Sequence, residues 1–119
     1  MLFAEVLEGV ADRVDGCVGL MIMGVDGIPI EKLSMDDSFN FELLATEWTA
    51  LLRNARQTSE EMGTGRLQEW TVKTDAVILL AVAITEDYFL LAAMRSGGNF
   101  GRARFALRRA TSQLEREFV

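Results

Sequence analysis

The sequence predicts an α+β fold: a five-stranded, mostly antiparallel sheet with a long helix on one face and two terminal helices on the other. Three observations carry this. Helix-like and strand-like patterns follow one another in the order helix, two strands, long helix, three strands, helix. Short turns join the strand-like runs everywhere except across the long helix, which favours antiparallel neighbours. Three of the runs, Cys17–Met23, Ala76–Ile84 and Tyr88–Met94, are apolar at almost every position, so both faces of the sheet need cover. A chain of 119 residues suits a single domain with one core, here spanning residues 1–119.

Leu2–Val14 sets Phe3, Val6, Leu7, Val10 and Val14 on one face, a short opening helix that leaves at Asp15-Gly16. Acidic residues in its first turns suit the positive end of the helix dipole. Cys17–Met23 is the first strand, and Val25-Asp26-Gly27 is a tight hairpin turn. Ile28–Leu33 returns as the second strand. Pro29 has no N–H for a ladder, so this strand is expected at an edge or with the missing donor facing outward.

Phe39–Met62 carries Phe41, Leu44, Ala45, Trp48, Leu51, Leu52, Ala55, Ser59 and Met62 at i, i+3, i+4, i+7 spacing, an amphipathic helix of about six turns. Asp36, Asp37 or Ser38 can cap its start, and Gly63 can end it. The other side is mixed. Leu43, Thr46 and Ala50 stand beside Glu47, Asn54 and Gln57, while Glu42, Arg53, Arg56 and Glu60 are charged. Such a helix packs on one side; its half-polar second side is either solvated or offered to a partner.

Gly63-Thr64-Gly65 opens the third strand, Arg66–Lys73. Leu67, Glu69, Thr71 and Lys73 point one way, and Gln68, Trp70 and Val72 the other. The strand is more polar than its neighbours and is expected at an edge or half exposed. A tryptophan there needs cover, either from its own chain or from a second copy joined edge to edge. Thr74-Asp75 and Glu86-Asp87 turn the chain around the fourth and fifth strands, Ala76–Ile84 and Tyr88–Met94. Arg95–Gly101 is a loop, and Asn99 is placed to cap a last helix running to about Phe118. Its apolar stripe is Phe100, Ala103, Leu107, Ala110, Thr111, Leu114 and Phe118; Arg102, Arg104, Arg108, Arg109 and Arg116 fill the rest.

Composition removes whole classes of function. The net charge of −6 argues against non-specific nucleic-acid binding. The acidity lies in the first half and much of the basicity in the last twenty residues. With one cysteine, Cys17, and no histidine, neither an intramolecular disulfide nor a Cys/His zinc site can be built. The usual general base at neutral pH is missing too, with every Ser-His-Asp or Cys-His arrangement. Ser96-Gly-Gly-Asn-Phe-Gly101 lacks the GxxxxGK[ST] pattern and is read as a helix-start loop rather than a phosphate cradle. Asp36-Asp37 is read as a helix cap rather than a calcium site, and Cys17 as an inert core thiol. The arginines of the last helix are read as a solvated face, and the methionines, Met62 among them, as core filling. No metal, no cofactor and no catalytic residue is therefore expected: the chain reads as a non-catalytic binding module. MLFAEVLEGV is no signal peptide, and the longest apolar run, Ala76–Ile84, is too short for a bilayer, so no membrane insertion and a cytoplasmic setting are expected.

Gly19-Leu-Met-Ile-Met-Gly-Val-Asp-Gly-Ile-Pro-Ile30, the long helix leading to a polar strand, and Asn99-Phe-Gly-Arg-Ala-Arg-Phe-Ala-Leu-Arg-Arg-Ala110 together resemble the roadblock (dynein light chain) family. Within it they are similar to the small prokaryotic members of the MglB-like GTPase regulator type. The resemblance covers nearly the whole chain; the turn and the Asn-Phe-Gly-x-Ala-Arg stretch are its more specific parts. It implies a homodimer in which long helices pair and third strands join edge to edge. Carried over by position, dimer contacts fall on Leu43, Thr46, Glu47, Ala50, Arg53, Asn54 and Gln57, and on Leu67, Gln68, Glu69, Trp70, Thr71 and Val72. It also implies a Ras-like small GTPase as partner on the paired helices, with Glu47, Arg53, Asn54, Arg56 and Gln57 as the partner-binding set and modulation of nucleotide hydrolysis as the outcome. The alternative is a structural adaptor dimer that joins other proteins without nucleotide dependence. The chain departs from some regulators in having essentially no tail after its last helix.

Overall fold

Five strands lie in the order β2-β1-β5-β4-β3, antiparallel at every junction. The structure, a computed structural model, describes residues 3–118. Its elements are α1 (Phe3–Ala11), β1 (Cys17–Gly24), β2 (Pro29–Ser34), α2 (Phe41–Glu61), β3 (Glu69–Lys73), β4 (Val77–Ala83), β5 (Tyr88–Arg95) and α3 (Phe100–Glu115), followed by a 3-10 turn, Arg116–Phe118. This is the expected order and architecture. Leu2, read as the first residue of the opening helix, lies outside the described residues.

The sheet order explains the length of α2. It carries the chain from one edge strand, β2, to the other, β3. Four strand spacings are about 19 Å. The helix has 21 residues, about 32 Å, enough to cross diagonally with a turn to spare.

Period-two alternation splits the core into two layers. Leu20, Ile22, Ile78, Leu80, Val82, Leu90 and Ala92 face α1 and α3, which bring Leu7, Val10, Ala103 and Leu107. Val18, Met21, Met23, Leu79, Ala81, Leu91 and Ala93 face α2, which brings Phe41, Ala45 and Leu52. The three central strands are therefore apolar throughout, while both edges are polar. Pro29 sits on the edge strand β2, opposite Met23, beside a bulge at Ile30, where β2 takes two residues to one of β1. The hairpin between them turns at Gly27 (φ 90°), with Asp26 Oδ1 accepting from the Ile28 amide at 3.0 Å.

Several boundaries differ from expectation. The N-cap of α2 is Asn40, whose Oδ1 accepts from the Leu43 amide at 3.1 Å; Asp36, Asp37 and Ser38 lie too far upstream to reach those amides. Asp36 is used otherwise. Its carboxylate accepts from the Ser38 amide and hydroxyl and pairs with Arg95. The Ser38 bonds and Arg95 hold it below the usual carboxylate range. Arg95 also lies 5.1 Å over the Phe39 ring, so the β2–α2 connection is clamped to the end of β5. The opening helix stops at Ala11 rather than Val14, although Val14 stays buried. The third strand begins at Glu69 rather than Arg66, because Ser59 donates to the Gly65 carbonyl and ties that segment to the last turn of α2. Gly63 (φ 72°) ends α2 and Asn99 caps α3, both as expected.

Candidate functional site

The outward side of α2 and the neighbouring edge of β3 form the surface that carries the expected site residues. At about 100° per residue, Phe41, Ala45, Thr49 and Leu52 point into the sheet, and all four are buried. Thr49 stands where the expected stripe had no member; its hydroxyl donates to the Ala45 carbonyl at 2.6 Å, so burying it leaves no orphaned donor. The stripe is thus rotated from expectation, and two of its residues fall outside it. Leu51 is 50 % exposed and Met62 is 73 % exposed. Neither fills the core.

Leu43, Glu47, Ala50 and Asn54 lie opposite the buried residues on one exposed seam, and Thr46 and Gln57 flank it. Leu51 joins this seam, four residues on from Glu47 and eight from Leu43, just past two turns, and Leu43 itself is 56 % exposed. Leu51 was legible only as a position i+4, i+8 from Glu47 and Leu43; its place in the apolar repeat assigned it to the core. Leu44 and Trp48 form the half-buried rim between seam and sheet. From there the apolar surface runs to β3, where Trp70 meets Trp48 edge to face with centroids 6.1 Å apart. Trp70 is therefore partly covered by its own chain.

β3 is an edge strand: it pairs with β4 alone, and its other side carries unpaired backbone groups. Its residues separate by face. Trp70 and Val72 pack towards α2, together with Leu67 from the segment before the strand. Glu69 faces the opposite layer, where its Oε2 accepts from Arg104 at 2.6 Å. Gln68 and Thr71 are exposed, and the Gln68 carbonyl accepts from the Ala83 amide at 2.9 Å. The structure therefore places Trp70 and Val72 on the α2 face of the sheet, Trp70 against the rim residue Trp48, and sends Glu69 to the other face.

The two arginines of α2 also diverge. Arg53 is exposed and reaches towards the β1–β2 turn, where a Cβ on Gly27 would stand 3.9 Å from its Nη1. Arg56 is half-buried; its Nη2 donates to the Glu86 carbonyl in the β4–β5 turn at 3.0 Å. Gln57 is exposed and donates to Glu61 one turn on.

Among the described residues, no group of three or more His, Cys, Asp or Glu side chains is placed to hold a metal ion. Burial pushes the Cys17 thiol up to about 11, partly offset by a hydrogen bond with the Gly19 backbone, so the protonated form prevails at neutral pH. No described helix is long and apolar enough to cross a membrane.

A five-stranded antiparallel sheet between a long crossing helix and a terminal helix pair defines a class of small α+β domain. Comparison with solved structures narrows it. MglC from Myxococcus xanthus is 30 % identical, with a TM-score of 0.72 over 98 % of this chain and 99 % of that one. A Roadblock/LC7 domain from Streptomyces avermitilis superposes with a TM-score of 0.83 at 13 % identity, covering 96 % and 95 %. MglB in a tetrameric arrangement gives 0.83 at 18 % identity, covering 95 % and 85 %. The last two likenesses show the fold; the first, at its identity and coverage, shows kinship. The chain belongs to the roadblock family. No family model matches it, and no curated protein sequence does either.

Proposed function

We propose that the chain is a homodimeric regulator or scaffold that binds a Ras-like small GTPase on a platform made by two α2 helices. The observation that carries this is the seam itself. Two large apolar side chains, Leu43 and Leu51, stand exposed on the outward face of α2, continuous through Trp48 and Trp70 with an unpaired strand edge. Exposed apolar groups beside a free edge are what a second copy would cover. Self-association of a relative, MglB in its tetrameric arrangement, supports the same reading. In this dimer Leu43, Thr46, Glu47, Ala50, Asn54 and Gln57 meet across the helices, and Leu67 to Val72 meet along the strands. Glu47, Asn54 and Gln57 reach the rim of that contact, where with Arg53 they also meet the partner. Glu69 contributes backbone rather than side chain, since Arg104 holds its carboxylate.

Modulation of hydrolysis needs either an arginine given in trans or an aligned set of the GTPase's own groups. Arg56 is tied to Glu86, which leaves Arg53 as the exposed cation of α2. That observation also favours a second reading, a structural adaptor dimer with no nucleotide dependence. Light scattering of wild type and Trp70→Lys, followed by GTP hydrolysis by the Ras-like GTPases of the same cell with and without the protein, decides between them. A dimer split by Trp70→Lys, with nucleotide-dependent binding, is the expected result. A wild-type monomer at tens of micromolar removes the platform; a dimer indifferent to every GTPase and nucleotide leaves the adaptor.

A further inference from the structure

On the face of the sheet away from α2, α1 and α3 leave an open groove of about 560 Å³ between them, which Phe105, Arg109, Gly9 and Arg13 help to line. We propose that this groove docks an acidic amphipathic segment of another protein, its apolar side on Phe105 and its carboxylates on the arginines of α3. The proposal does not rest on the GTPase reading, because the sheet separates the groove from the α2 seam.

Phe105 is 63 % exposed, although α3 already buries six other residues, so it is surplus to the helix's own packing. It borders a second hollow as well, with Arg104 and Arg108 on that side. The Arg109 guanidinium lies 5.8 Å over its ring, a cation set beside an apolar anchor. In a chain of net charge −6, α3 carries four arginines and one glutamate. Arg104 is paired with Glu69 and Arg102 loosely with Asp15 at 3.5 Å. Arg108 and Arg109 make no ion pair among the described residues. Guanidinium forks recognise carboxylates in pairs, so the complementary occupant is acidic.

The other wall selects among acidic occupants. Glu5 lines it, and the exposed Glu8 and Asp12 belong to the same segment. A uniform polyanion, such as nucleic acid or an anionic membrane, would meet these carboxylates as well as the arginines. A helix or strand with carboxylates on one side and an apolar anchor need not. Gly9 adds an independent point. It stands inside α1, where glycine weakens a helix, yet a Cβ there would meet nothing within 4 Å. Internal packing does not require glycine at this position; what its absent side chain does is keep the groove open.

The test is fluorescence anisotropy with labelled 18-residue helical peptides of alternating Glu and Leu faces. Controls replace Glu by Lys or Leu by Ala, and titrations run at 50 and 300 mM salt. The acidic Leu peptide should bind saturably and at least tenfold tighter than either control, and salt should weaken it. Phe105→Ala, the pair Arg108→Glu and Arg109→Glu, and Gly9→Glu should each cost about tenfold or more, with unchanged circular dichroism. Trp70→Lys should leave binding intact. No saturable binding, or binding indifferent to Phe105 and the arginines, overturns the proposal. So does Phe105-dependent binding to phosphatidylserine vesicles or to oligothymidine in place of the peptide. A solution mass that rises with concentration and falls in Phe105→Ala also overturns it, in favour of a second copy as occupant.

Discussion

The two faces of the sheet are closed in different ways. α3 buries six of its 16 residues and α2 only four of its 21. Around α1 and α3 the layer is completed at its end by an aromatic stack, Phe3 on Phe118 and Phe118 on Tyr88, with centroids 5.3 and 4.2 Å apart. α2 has no such second helix beside it. One ring seats it: Phe41 lies against Gly19 of β1, so closely that a Cβ there would come within 2.5 Å of the ring. A long helix that buries little and keeps leucines outside is under-used by its own fold. Its length serves the crossing between edges, and its outer seam is free for a partner.

The sharpest way to break this comparison is to unseat α2. Phe41→Ala removes the largest buried side chain of that helix, and should cost about 3–5 kcal/mol in urea unfolding, as large-to-small changes of a buried phenylalanine do. Hydrogen exchange adds the regional part. In Trp70→Lys, which the proposed dimer predicts to be monomeric, α2 amides should open at lower free energy than those of α3. Loss below about 1 kcal/mol for Phe41→Ala, or equal protection of the two helices, would show that the faces are equally held.

What the sequence reveals of this arrangement depends on whether local pattern or long-range geometry decides it. The three apolar strands, the Asn99 cap and the Gly63 stop are local, and each lies where the pattern places it. Both edges follow from Pro29 and from the polarity around Trp70. The centre of the α2 stripe is not local. Thr49 is inside and Leu51 outside because Phe41 fixes the roll of the helix by entering the notch at Gly19, a contact 22 residues away in sequence. Glu69 and Arg56 are of the same kind. One is engaged by α3 and the other by the β4–β5 turn, partners that no periodicity in their own segments announces. Helical spacing places Leu43, Glu47, Ala50 and Asn54 on one exposed side; their assignment to a dimer contact comes from the family resemblance.

Two glycines sharpen the contrast between the faces. Gly19→Ala pushes a methyl into the Phe41 ring, an overpacking that should cost about 1–3 kcal/mol and be relieved in part by Phe41→Leu in the same chain. Gly9→Ala, on the other face, meets open space inside α1 and should stabilise by about 0.5–1 kcal/mol. Urea midpoints of the two single variants test this directly. A destabilising Gly9→Ala would mean that the groove between α1 and α3 is already filled.

The smallest effect expected concerns Cys17, which packs against the α1 and α3 side. Burial raises its folded value from about 9 to about 11, so the folded state binds the thiol proton more tightly than the unfolded chain. The sign of the linkage follows. The contribution is fully present below about pH 9 and is lost as pH rises through about 11. Other groups titrate in the same range, so the quantity to measure is the difference between wild type and Cys17→Ala in urea midpoints across that interval. The two should converge as pH rises, because the alanine variant has no thiol to ionise. Parallel curves would show that Cys17 ionises equally in both states. The layer against α1 and α3 would then be open to solvent at the start of β1, and the difference between the two faces would shrink to the seating of α2.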